Sequence, residues 1–146
     1  MEINRIESWI TSTLQNDAAL TAAAPGGVHA WPVLDEEKVF PVVVFEYQPG
    51  SEDVNGVGAR RIMVSAVYLV RVIGRECGIE DLKTAADRMD TLLTAAIETP
   101  ASPGVTPGTN TPGVMGCYRE QPFSMVEVDE GVRYPHLGGL YRILAN

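Results

Sequence analysis

The residues with the most evident chemical potential are two histidines, two cysteines, one Gly-x-Gly triplet and a pair of carboxylates at helical spacing. His29 and His136 lie far apart, in no His-Glu-x-x-His segment and beside no cysteine pair, so no zinc-type ligand set is spaced for coordination. No Asp-x-Asp-x-Asp-Gly loop offers oxygen ligands to calcium. Cys77 and Cys117 belong to no Cys-x-x-Cys motif and read as two reduced thiols. Gly56-Val57-Gly58 precedes Ala59-Arg60-Arg61 and a strand, whereas a phosphate cradle needs a helix N-terminus there; no Gly-Lys-Ser/Thr follows. No Gly-x-Ser-x-Gly elbow presents a serine nucleophile. Asp87 and Asp90 share one helix face with Arg88 nearby, which reads as a solvated surface and not as an acid–base pair. The expectation is therefore no catalytic residue, no cofactor and no metal site.

Composition narrows the class further. The chain has 146 residues, 45% of them hydrophobic and 21% charged, which fits one domain with its own core. A net charge of −8 opposes a surface that grips nucleic-acid phosphates, and it opposes a polybasic membrane patch. The first residues, Met1–Ile10, lack the cationic and apolar regions of a secretory signal. The longest apolar runs, Val42–Phe45 and Ile62–Val70, are far shorter than the ~20 residues of a membrane helix.

The elements that would position these residues follow from periodicity. Ile3, Ile6, Ile10 and Leu14 recur at helical spacing beside Trp9, predicting a helix over 2–15. Asp17 is placed to cap a short turn through Ala18–Ala24, and Pro25-Gly26-Gly27 ends it. Val28–Val33 reads as extended, and Asp35–Lys38 as a polar turn. Phe40–Gln48 and Arg61–Ile73 are predicted strands, separated by a Gly-rich hairpin loop over 49–60. In the second strand nearly every side chain on both faces is apolar. One face packs on the core, and the other calls for a covering helix or a neighbouring subunit. Ile79, Leu82, Ala86, Met89, Leu93 and Ala96/Ile97 predict a helix over 79–97. The stretch 99–113 holds four prolines and three glycines and reads as an exposed loop. Val114–Gln121 and Phe123–Val128 read as strands broken at Pro122, followed by a tight turn at Glu130-Gly131 and a last strand over Arg133–Leu144. Gly138-Gly139 in that strand marks a bulge or a close backbone approach. The predicted class is α+β, an antiparallel or mixed sheet with helices on one face, in the rough order α-β-β-α-β-β.

This order and texture resembles one known family. The N-terminal helix, Gly27-Val28, the extended Trp31-Pro32 and the Pro-led strand Val39–Phe45 look like the start of a tail terminator, or tail completion, protein of long-tailed bacteriophages. The long apolar strand 61–73 followed by helix 79–97, and the ending Gly138–Ile143, are also similar. The resemblance implies a non-enzymatic virion protein, assembled in the host cytoplasm into a ring, usually of six copies. Such a ring caps the finished tail tube and joins it to the head–neck connector, while DNA passes through the lumen without specific binding. Alternatives are another phage neck, head-closure or tail-tube-related protein, or a small non-enzymatic cellular binding domain. On the ring reading the contact residues are expected at the 49–60 tip: Glu52, Asp53, Val54, Asn55, Gly56 and Gly58, with Arg60 and Arg61 placed to pair with acids of a neighbour.

Overall fold

A computed structural model describes residues 2–32, 39–98 and 113–146, excluding the side chains of 95–98. The expected turn at Asp35–Lys38 and all but Gly113 of the expected loop over 99–113 lie outside the described residues.

Helix α1 (Glu2–Gln15) forms where predicted and buries Ile6, Trp9, Ile10 and Leu14. Helix α2 (Ala18–Ala23) is capped by Asp17, whose carboxylate accepts the Leu20 N–H at 2.9 Å. Strand β1 (Val28–Ala30) is short and runs parallel to β2 (Val42–Asn55). Strand β3 (Arg61–Ile73) leads through a 3₁₀ turn (Ile79–Leu82) into helix α3 (Lys83–Glu98). Strands β4 (Val114–Asp129) and β5 (Val132–Ala145) close the chain as a hairpin. The five strands lie in the order β1-β2-β3-β5-β4 and are antiparallel except for the β1–β2 pair. The sheet is therefore mixed, and the observed order adds α2 and β1 to the predicted sequence of elements.

The helices pack on one face of this sheet. Val64, Ala66, Tyr68, Val70 and Val72 of β3 meet Ile6 and Ile10 of α1, Leu20 of α2, and Met89 and Leu93 of α3 in one buried cluster. Tyr68 donates to Glu7 of α1 at 3.1 Å, and Tyr141 donates to Asp90 of α3 at 2.7 Å, so both buried phenols are satisfied. Asp17 also receives two hydrogen bonds from Arg88, at 2.9 and 2.7 Å, which tie the start of α2 to α3.

Three expectations need correction. First, the 49–60 segment is mostly strand and not loop. β2 continues through Asn55, paired to Arg61–Ser65 of β3 after a bulge between Gln48 and Glu52, so only 56–60 turn the chain. Strand pairing wins because the bulge takes up the extra residues at Pro49–Ser51, where the Ser51 hydroxyl accepts the Val67 N–H at 2.9 Å. Second, Pro122 does not break β4. The strand is an edge of the sheet, where a missing N–H costs no ladder bond on its free side. Third, neither a helix nor a second subunit is needed over the other face of β3. Ser65, Val67, Leu69, Arg71 and Ile73 are all buried within this chain. Phe40 and Tyr134, with rings 5.8 Å apart, close over Val42, Val44 and Ile73. Trp31 and Phe123 flank Arg71, and the bulge at Gly50 lies against Val67.

Gly138 marks a close approach and not a bulge, since β3 and β5 stay in register through it. A Cβ there would fall 2.1 Å from the Val70 carbonyl oxygen and 2.6 Å from the Arg71 Cα. Backbone cannot yield as a side chain does, so Gly138→Ala is expected to destabilise by about 1–3 kcal/mol in urea unfolding. At Gly116 of β4 the added methyl meets Leu144 at an ordinary 3.7 Å, and Gly116→Ala should stay within about 0.5 kcal/mol of the parent. Equal effects at the two sites would contradict this reading.

Candidate interaction surface

The predicted contact residues stand on a projecting β-arm and at its base. The β3–β5 pairing ends at Val64 opposite Ala145, so β3 before Val64 and its partners on β2 extend beyond the rest of the sheet. Val54 and Asn55 are strand residues of this arm, Gly56 and Gly58 lie in its turn, and Glu52 and Asp53 stand just inside its base, opposite Ser65 and Val64. The turn is closed by Gly56 N–H donating to the Arg60 carbonyl at 2.8 Å. Gly58 and Ala59 both have positive φ, +82° and +58°, which lets the chain reverse sharply. Val57 at the tip is fully exposed and Ile62 is 55% exposed.

The two arginines of this arm differ. Arg61 is engaged inside its own chain, 3.0 Å from Glu2 of α1 and 3.8 Å from Asp53. Proximity to Arg61 and a backbone hydrogen bond help hold the Glu2 carboxyl below the usual carboxylate range, the hydrogen bond being the larger cause. Arg61 thus braces the arm against α1. Arg60 is exposed and makes no ion pair among the described residues.

The sequence reading missed a second surface. β4 is a long edge strand whose residues after Cys117 are exposed or half-exposed, including Tyr118, Met125, Val126 and Val128. Its last residues form, with the start of β5, a hairpin at the opposite end of the sheet from the β2–β3 arm. Glu130 and Gly131 turn that hairpin with φ of +50° and +81°, as a two-residue turn requires. The available signal was Pro122, since proline inside an apolar strand pattern points to an edge. Among the described residues β2 also has a free edge beyond β1, whose pairing reaches only Phe45.

On the sheet face away from the helices lies a buried polar cluster. The Arg71 guanidinium sits 4.8 Å from the Trp31 ring centre and 5.8 Å from that of Phe123, and pairs with Glu46 at 3.5 Å. His136 lies beside it, 98% buried, with Glu127 at 3.3 Å. Burial, and then the Arg71 charge, push the His136 imidazole below its ordinary value, so it is held neutral. Neither residue has a nucleophile for a partner. The cluster covers β3 and fixes the sheet's second face.

Two further features bear on chemistry. A groove of about 620 Å³ runs along α1, lined by Asn4, Glu7, Ser8, Thr11, Ser12, Gln15 and Asn16 against Phe45. Its lining is amides and hydroxyls, and its one carboxylate, Glu7, is bonded to Tyr68. Both thiols are held protonated: burial pushes Cys117 up to about 12, with Asp90 adding to it, and raises Cys77 as well. Among the described residues no three His, Cys, Asp or Glu side chains gather as metal ligands, and no helix is long and apolar enough to cross a membrane.

Solved structures share this fold. One chain of the virion of a native gene transfer agent particle matches with a TM-score of 0.61 at 13% identity, over 99% of this chain and 97% of that one. The alignment spans nearly the whole of both chains. No family model and no curated protein matches the sequence.

The His136 cluster generates a pH prediction. A histidine held neutral in the fold binds protons better once unfolded, so stability is full above about pH 6.5, the ordinary histidine value, and falls as pH drops below it. Urea unfolding between pH 7.5 and 5 should show this loss, at most about 1.4 kcal/mol per pH unit for one proton. His136→Gln should flatten that segment of the curve. Parallel curves for parent and variant would assign the acid sensitivity elsewhere.

Proposed function

We propose that this chain is a structural subunit of a phage-like virion, and that within the particle it serves as a tail terminator. In this role copies of the chain form a ring, six in number, that caps the tail tube and meets the head–neck connector on its other side. The end-to-end fold likeness to a gene transfer agent virion chain carries the reading. The molecule's shape supports it. The β2–β3 arm and the β4–β5 hairpin lie at opposite ends of one sheet, and long strand edges remain unpaired among the described residues. These are docking features, available for strand addition or for hairpin contacts.

On this reading the chain is not an enzyme and works without a cofactor. The paired tyrosines, protonated thiols and neutral His136 are structural groups. The acidic charge of −8 per copy suits a channel that DNA crosses without being held, since acidic side chains at the lumen repel phosphates within roughly a Debye length of 8 Å. Tail tube protein and connector protein are the partners of the two ring faces.

Native mass spectrometry and binding to isolated tail-tube ends test the proposal together. A closed oligomer that blocks further tube growth is expected. A chain that stays monomeric at high concentration and ignores tube ends would overturn it; binding to connector protein alone would favour a head-closure role. Replacing Asn55–Ile62 with an Asn-Gly turn should leave the core unfolding transition in place, because the removed residues lie beyond the end of β5. The same replacement should abolish oligomer formation. An oligomer that survives it would remove the arm from the assembly contact.

A further inference from the structure

The two arms differ in a way that assigns each a partner. The β2–β3 tip, residues 56–62, carries Arg60 and Arg61 and no acidic residue. The β4–β5 tip carries Glu127, Asp129 and Glu130 against Arg133. Asp129 and Glu130 are exposed and make no ion pair among the described residues, and the same holds for Arg60. Both tips also expose apolar side chains: Val57 and Ile62 on one, Val126 (39%) and Val128 (63%) on the other. By register, Val126 and Val128 project from the sheet face that the helices cover, while Ile62 sits at the register shift that ends the β2–β3 pairing. The tips lie at opposite ends of the sheet, roughly 60 Å apart when counted along the strands at ~3.4 Å per residue. They therefore cannot satisfy one another within a single chain.

We infer that the β2–β3 tip of one copy docks on the β4–β5 hairpin of the next copy, with Arg60 facing Asp129 and Glu130, and Val57 and Ile62 covering Val126 and Val128. The inference rests on the virion-subunit reading and deepens it by naming the surface that receives the arm. Charge complementarity selects a second copy of this chain as the occupant, because each copy presents both halves of the contact. Two different patches at opposite ends make a head-to-tail contact, which repeats around a ring when the rotation closes. A closed ring and an antiparallel two-fold dimer both repeat this tip-to-hairpin contact, and native mass spectrometry separates them by copy number.

Charge reversal gives a test that singles out this pairing. Arg60→Glu makes the arm tip acidic opposite an acidic hairpin. Asp129→Arg with Glu130→Arg makes the hairpin basic opposite a basic tip. Each variant alone should need at least about ten-fold more protein to assemble, by sedimentation velocity and native mass spectrometry. An equimolar mixture of the two should assemble as alternating copies at close to the parent concentration, because every contact is again of opposite sign. The substituted side chains are exposed, and an unchanged urea midpoint for each variant verifies its fold. Parent-like assembly by both variants separately, or no recovery in the mixture, would overturn the pairing while leaving an assembling subunit. A parent chain that never assembles and never joins tube ends would instead overturn the virion-subunit reading, and this inference with it.

Discussion

A strand with apolar side chains on both faces must be covered twice, and the way β3 is covered decides how the rest of the molecule can be used. Helices α1, α2 and α3 cover one face with aliphatic side chains. The other face is closed by side chains of neighbouring strands and by Trp31, Phe40, Phe123 and Tyr134, with Arg71 held among them. A guanidinium suits that position because its flat faces stack on aromatic rings while its edge pairs with Glu46. Both faces of β3 from Val64 to Ile73 are thus buried within the chain. What remains unpaired are strand edges and the two arms that overrun the core.

Much of this was legible from residue types. Helical spacing gave α1 and α3, because their apolar residues meet the sheet along one stripe. The alternation of β3 was read correctly as two apolar faces, but its cover was misassigned. Sequence can show that a face must be dry and cannot show that Trp31 and Phe123, far apart in the chain, fold over it. The 49–60 segment was read as loop because Pro49, Gly50, Gly56 and Gly58 are turn residues. The bulge after Gln48 absorbs the first two, and Glu52–Asn55 pair with β3 in spite of low strand propensity. Cross-strand pairing and the bracing of Arg61 by Glu2 outweigh that propensity. Of the contact residues chosen from sequence, Val54 to Arg61 fall on this arm, and Glu52 and Asp53 fall at its base. The opposite hairpin escaped notice because its acidic residues read as ordinary solvated turn chemistry until the register placed them at the far end of the same sheet.

The virion likeness and the physical description meet in the molecule's shape. The two chains share a fold over nearly their whole lengths at 13% identity, which is a likeness of architecture. The half-buried polar groups of the helix layer are engaged in structure: Glu7 with Tyr68, Asp90 with Tyr141, and Asp17 with Arg88 and the start of α2. The depression of the Asp17 carboxyl to about 2, chiefly by Arg88 and then by the Leu20 N–H, has the same structural meaning. Its contribution is present above the ordinary carboxylate value of 3.8 and is lost only as pH falls towards about 2. The helix layer therefore keeps this tie through mildly acidic conditions.

Hydrogen exchange followed from dilute to concentrated protein tests the central claim most directly. If the arms are the assembly surfaces, backbone amides of 53–62 and 126–131 gain protection together as copies associate. The amides of β3 from Val64 to Ile73 are already protected and should not change. Protection that rises instead along the polar face of α1, or at neither arm while larger species form, would contradict the account.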